Sequence, residues 1–163
     1  MAKLYVTVGI SGSGKSTWAR EFSQAMGGIK IIEPDAIRAE LCGDEADQSK
    51  NHEVWELAYK RAFDELETGH NAIFCATMLY RKSREELVKH MPKNTQIIYV
   101  YFVASADLEL CLARNNARSR HVPEEVVRRQ YSTFEPFITE TEEYELVFAD
   151  GHYYLWNWIE RGH

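Results

Sequence analysis

Gly9-Ile10-Ser11-Gly12-Ser13-Gly14-Lys15-Ser16 narrows what this chain can fold into more than any other stretch. It satisfies the pattern GxxxxGK[ST], which a chain of this length would meet by accident roughly once in two hundred tries. Its surroundings suit the pattern. The apolar residues 3–9 before it predict a buried strand. Residues 16–26 after it predict a helix with Trp18, Ala19, Phe22 and Met26 on one face. Glycines between a strand and a helix let the backbone close around an anion with its N–H groups turned inward, and the helix adds its positive end. The expected ligand is a nucleoside triphosphate, ATP or another NTP, with Mg2+. Gly12, Ser13, Gly14 and Thr17 belong to the cradle, Lys15 bridges the β- and γ-phosphates, and the Ser16 hydroxyl ligates the metal. Trp18, at helical spacing, reads as core.

The rest of the chain fits a fold built around that turn. Short β-branched and aromatic runs at 29–33, 71–76, 96–104 and 145–149 predict further strands covered on both faces. Helical periodicity marks 52–66, 81–90 and 107–116, and a helix opened by Pro123 covers 123–134. Alternation of this kind predicts an α/β fold of three layers, with a five-stranded parallel sheet in the order 2-3-1-4-5. With no repeat and no Gly/Ser/Pro linker, residues 1–163 are expected to form one domain, its ligand at the carboxyl ends of the strands. Residues 152–163, with Trp156 and Trp158, have no place in this scheme. They either cover a sheet edge or make a contact between copies, so a homo-oligomer stays open.

No apolar run is long enough to span a membrane or shaped as a leader, which points to the cytoplasm. Cys42, Cys75 and Cys111 are odd in number and far apart, which argues for reduced thiols and against a zinc site. The net charge of −6 counts against a nucleic-acid binder, but acidic residues gather at 40–56 and 135–145 and basic ones at 81–93 and 114–129. A basic strip on an acidic protein remains compatible with a polyanionic partner, as do ordinary solvated helix faces.

Two segments beyond the glycine-rich turn carry possible chemistry. Glu33-Pro34-Asp35-Ala36-Ile37-Arg38 follows the second strand, where an acceptor hydroxyl would meet the γ-phosphate. Asp35 there either accepts the hydroxyl proton or simply caps the next helix. Arg38, three residues on, shares its helix face and either holds an acceptor phosphate or pairs at the surface. Arg114-Asn115-Asn116-Ala117-Arg118-Ser119-Arg120-His121 is an arginine-rich loop between two helices. With its flanks, 114–123, it forms either a lid over the transferred phosphate or a solvated basic loop.

The run Gly12-Ser13-Gly14-Lys15-Ser16-Thr17-Trp18-Ala19-Arg20-Glu21-Phe22, then Asp35 and Arg38, then Arg114-Asn115, Arg118, Val122-Pro123 and Tyr131, resembles the kinase domain of the phage 5′-polynucleotide kinase–3′-phosphatase family. The likeness extends over about residues 1–134 and is weakest in the middle. It implies the P-loop kinase fold and transfer of an NTP γ-phosphate to the 5′-hydroxyl of RNA or DNA, as in nucleic-acid repair. It also implies Lys15 and Ser16 on the phosphates and metal, Asp35 as general base, Arg38 on the acceptor's 3′-phosphate and Arg118 on the donor phosphates. Family members tend to end the third strand with a carboxylate just before Thr-Asn, whereas here the run is Cys75-Ala76-Thr77-Met78, and no DxDGT phosphatase motif appears. Two other readings remain: a kinase of a small metabolite, nucleoside or nucleotide-sugar, similar to zeta-toxin-like kinases, and an NTP-dependent switch or binding module.

Overall fold

The computed structural model describes residues 1–135 and, as backbone only, the strands Tyr144–Ala149 and His152–Glu160. Four strands form a parallel sheet: β1 (Lys3–Val8), β2 (Lys30–Ile32), β3 (Ala72–Phe74) and β4 (Gln96–Phe102). Their order is β2-β3-β1-β4, with Tyr5 opposite Ile73 on one side and Ile98 on the other. Helices α1 (Lys15–Ala25), α2 (Pro34–Cys42), α3 (Asn51–Glu67), α4 (Arg81–Lys89), α5 (Leu108–Asn116) and α6 (Glu124–Thr133) lie between and after them. This is the α/β P-loop kinase fold.

The period-2 alternation of the strands sorts their side chains onto two faces. Leu4, Val6, Val8, Ala72, Phe74, Ile97 and Tyr99 pack with Ile37 of α2, Val54, Ala58 and Ala62 of α3 and Leu87 of α4. Tyr5, Ile73, Cys75, Ile98, Val100 and Phe102 face the other way, onto Trp18 and Ala19 of α1. Trp18 stacks on Phe22 with ring centroids 4.8 Å apart, so it is core, worth roughly 1.5–3 kcal/mol as a buried side chain. A third cluster, Ile10, Leu79, Cys111, Leu112 and Val127, fastens α5 and α6 beneath the glycine-rich loop.

The sheet differs from the expected five parallel strands. β5 (Tyr144–Ala149) does not lie beside β4; β6 (His152–Glu160) does, antiparallel, and β5 pairs antiparallel with β6 at the edge. The reason is local. Ala149 is the partner of His152, which leaves the dipeptide Asp150-Gly151 between the strands. Asp-Gly is a strong two-residue hairpin signal, and a parallel return would have needed a long crossover. The unplaced tail thus belongs to the sheet through 160. The side chains of Trp156 and Trp158, residues 161–163 and the acidic run at 136–143 lie outside the described residues. Among the described residues, no helix is long and apolar enough to cross a membrane, and Cys42, Cys75 and Cys111 are free thiols.

Candidate active site

β1 runs straight into the loop Gly9–Ser16, and three parts of the fold hold that loop by its backbone. Gly9 N donates to Thr77 O at 3.0 Å, Ile10 N to Ser105 Oγ at 3.1 Å, and Ser11 N to Gln130 Oε1 of α6 at 2.9 Å. The amides of Gly12, Gly14, Lys15 and Ser16 have no protein acceptor among the described residues. Gly12 cannot carry a side chain here. Its φ is +83°, and a Cβ would sit 2.2 Å from the Cys111 carbonyl oxygen. A cradle this tight around free amides suits phosphate oxygens, and the Ser13 hydroxyl, buried and without a partner among the described residues, is a further donor placed in it.

Lys15 opens α1 and donates from Nζ to Ile10 O at 2.8 Å. Burial pushes its pKa down to about 8; the Asp35 carboxylate opposes that shift, and the Arg118 guanidinium adds to it. The Lys15 ammonium therefore feels both the Asp35 carboxylate and the Arg118 guanidinium. The Ser16 hydroxyl donates to Glu33 Oε1 at 3.2 Å and lies 4.0 Å from Cys75 Sγ. Among the described residues no group of three or more His, Cys, Asp or Glu could hold a metal by itself. Magnesium fits such a site, because it is commonly bound by one or two protein oxygens together with substrate phosphates. Ser16 would supply such an oxygen, beside Lys15 and the free amides.

On the acceptor side, α2 begins with Pro34 at its first position and Glu33 as its N-cap, so Asp35 sits inside the first turn and is not the cap. Asp35 and Arg38 share a face as their spacing predicts, with Arg38 Nη1 bonded to Asp35 Oδ1 at 2.5 Å. The pair is lopsided. The Asp35 side chain is 66% exposed and that of Arg38 6%. Arg38 also donates to Asn51 Oδ1 at 2.9 Å and to Glu45 O at 3.3 Å, while its buried Nε has no partner among the described residues. Thr17 is exposed at the start of α1.

The arginine loop is closed at its base by Asn115, a fully buried side chain that donates to Val122 O at 2.7 Å and accepts from Val122 N at 3.1 Å. Arg118 is exposed on that loop, and Arg120 approaches Glu45 across the site at 3.9 Å.

The sequence gives no role to Glu33, Ser105 or Gln130, and Asn115 appears there only as part of the arginine-loop pattern. Glu33 lies beside Asp35 in its motif. Burial raises its carboxyl pKa, and the Ser16 hydrogen bond opposes that. Gln130 carried no signal, since its contact with Ser11 spans 119 residues of chain. The Met78 departure also has a structural consequence. Met78 adopts φ 47°, the left-handed region in which Asn is enriched and Met is uncommon. Its backbone is held there by Arg84, whose Nη1 donates to Met78 O at 2.8 Å.

Known proteins resemble this chain in sequence and in fold. The chain is 26% identical over 141 residues to the L-seryl-tRNA(Sec) kinase of Methanococcus maripaludis, covering 81% of this chain and 52% of that protein. Its fold matches a chain of the Pnkp1/Rnl/Hen1 RNA repair complex with a TM-score of 0.72 at 21% identity, over 91% of this chain and 52% of that one. A sugar kinase from Janibacter sp. HTCC2649 matches with a TM-score of 0.62 at 22% identity, over 86% and 82%. The chain thus spans about half the length of the curated relative and of the repair-complex chain. The model of the AAA domain family matches residues 4–137, which include the glycine-rich loop, Asp35 and the arginine loop, and the chain belongs to that family.

Proposed function

We propose that this P-loop kinase domain transfers the γ-phosphoryl group of ATP or another NTP to the 5′-hydroxyl of a polynucleotide end. The observation that carries the reading is the exposed Asp35 carboxylate, steadied by a buried arginine and within electrostatic reach of Lys15. In this reading the acceptor hydroxyl gives its proton to Asp35 as its oxygen attacks the γ-phosphorus, and the nucleoside diphosphate leaves. Lys15, the Ser13 hydroxyl and the loop amides hold the β- and γ-phosphates through the transfer. Arg118 meets the charge that gathers on the transferred group. Magnesium, when bound with the nucleotide, neutralises phosphate charge, and Ser16 would hold it. Arg38 fixes the Asp35 carboxylate. To reach an acceptor phosphate as well, it would have to release Asn51 or the Glu45 carbonyl.

A polynucleotide acceptor is supported by the resemblance across the P-loop, Asp35, Arg38 and Arg118. It is supported also by the RNA named in two similar proteins, an RNA repair complex and a seryl-tRNA kinase. A second reading, a small hydroxylated metabolite, is favoured by the sugar kinase whose length this chain nearly spans and by the missing carboxylate and asparagine after β3. Transfer of labelled γ-phosphate to a panel of 5′-OH RNA and DNA oligonucleotides, 3′-phosphorylated nucleosides, bare nucleosides and sugars separates them. The polynucleotide reading expects oligonucleotides to exceed bare nucleosides at least tenfold in kcat/KM, because remote contacts position the hydroxyl. A sugar or bare nucleoside used equally well overturns it.

A further inference from the structure

The carboxylate that the sequence pattern lacks after β3 has a counterpart at the end of β2. Cys75 stands near the expected position, but its thiol is a soft group, poorly suited to magnesium. Thr7 is occupied, its hydroxyl bonding Ala76 O at 2.8 Å and Ala76 N at 3.0 Å. Asp35 is turned to Arg38. Glu33 is the carboxylate in contact with the Ser16 hydroxyl. It also declines its local task. As the N-cap of α2 it could bond a free amide of the first helical turn, yet its side chain makes no capping bond and reaches 17 residues back to Ser16 instead.

We propose that Glu33 is the metal-positioning carboxylate of this site, holding beside Ser16 the water shell of the magnesium that accompanies the nucleotide. Magnesium gives up its waters reluctantly, so a carboxylate beside one protein ligand acts by accepting hydrogen bonds from metal-bound water. The inference deepens the kinase reading and rests on nucleotide binding at the glycine-rich loop, but not on the identity of the acceptor.

The test is calorimetric titration of a non-hydrolysable ATP analogue, with EDTA and across a magnesium series, on the wild type, Glu33→Gln and Glu33→Asp. Bound Mn2+ is measured in parallel by electron paramagnetic resonance. Gln keeps the size and can still accept from Ser16, so the fold should survive, which thermal melting checks. Glu33→Gln should bind the metal-free analogue like the wild type but need about tenfold more magnesium for its tight complex, the scale of lost outer-shell partners. It should also bind Mn2+ correspondingly more weakly, and Glu33→Asp should recover part of both. Unchanged magnesium and Mn2+ dependence in Glu33→Gln overturns the assignment while leaving the kinase reading intact. A wild-type protein that binds no analogue with or without metal overturns the kinase reading itself.

Discussion

The two halves of the site are built differently. On the donor side the backbone is clamped: Thr77, Ser105 and Gln130 each fix one amide of the glycine-rich loop, Ile10 and Ser13 are buried, and Lys15 is partly buried. On the acceptor side the reactive groups face solvent. The Asp35 side chain is two thirds exposed, and the link to the arginine loop is a loose Arg120–Glu45 pair between exposed side chains. A phosphate chain has one shape, so its site can be rigid beforehand and act through preorganised donors. An acceptor has to enter, and its side of the site stays open until it does.

The sharpest way to break that contrast is Lys15→Met. Losing a preorganised charge on the transferred phosphate should cost ~3–4 kcal/mol of barrier, a loss of a hundredfold or more in kcat. The same change should stabilise the nucleotide-free protein. Lys15 holds its proton up to about 8 when folded and up to 10.5 when unfolded, so the unfolded chain binds the extra proton between those values and wild-type stability rises with pH across that window. The advantage of Lys15→Met should therefore be at most ~3 kcal/mol below pH 8 and shrink towards pH 10.5. Urea titrations at pH 7 and pH 10 check it, and a variant no more stable than wild type at pH 7 would mean that the ammonium is not desolvated.

Next in size is Gly12→Ala. A methyl group 2.2 Å from the Cys111 carbonyl, on a backbone with φ +83°, should destabilise the fold by more than ~2 kcal/mol and weaken nucleotide binding with it. An unaffected melting temperature would show that the loop is less clamped than described.

The smallest effects belong to the arginine loop. Arg118→Ala should lower kcat about tenfold with little change in stability, because the side chain is exposed and within reach of Lys15. Arg120→Ala removes only an exposed ion pair, worth ~0–1 kcal/mol, and should leave kcat within about twofold. Equal, small losses from both would return 114–123 to a solvated loop.

Legibility in the sequence follows the same division. The glycine-rich loop was readable because its chemistry lies within eight consecutive residues. The strands were readable as continuous apolar runs because both faces of the sheet are covered, with Leu4, Val6 and Val8 on one and Tyr5 on the other. The antiparallel pairing at the sheet edge was readable in principle from the sequence Asp150-Gly151, but strand–helix alternation argued for another parallel strand, and that rule fails where only two residues separate paired strands. The Asp35–Arg38 pair followed from helical spacing. The burial of Arg38, and with it Arg38's hold on Asp35, depended on Asn51 and Glu45, which the folded chain brings from outside α2. Gln130 on Ser11 and Glu33 on Ser16 are contacts between segments far apart in the chain, and no local pattern encodes them.

If a clamped donor site delivers phosphate to a hydroxyl deprotonated by Asp35, the decisive variant is Asp35→Asn. Asn can still accept from Arg38, so the fold should hold. The single-turnover rate of transfer to a 5′-OH oligonucleotide should fall about a hundredfold or more, with the Kd for ATP within about twofold of wild type. A transfer rate near wild type, or an ATP affinity that falls as far as the rate does, would contradict it.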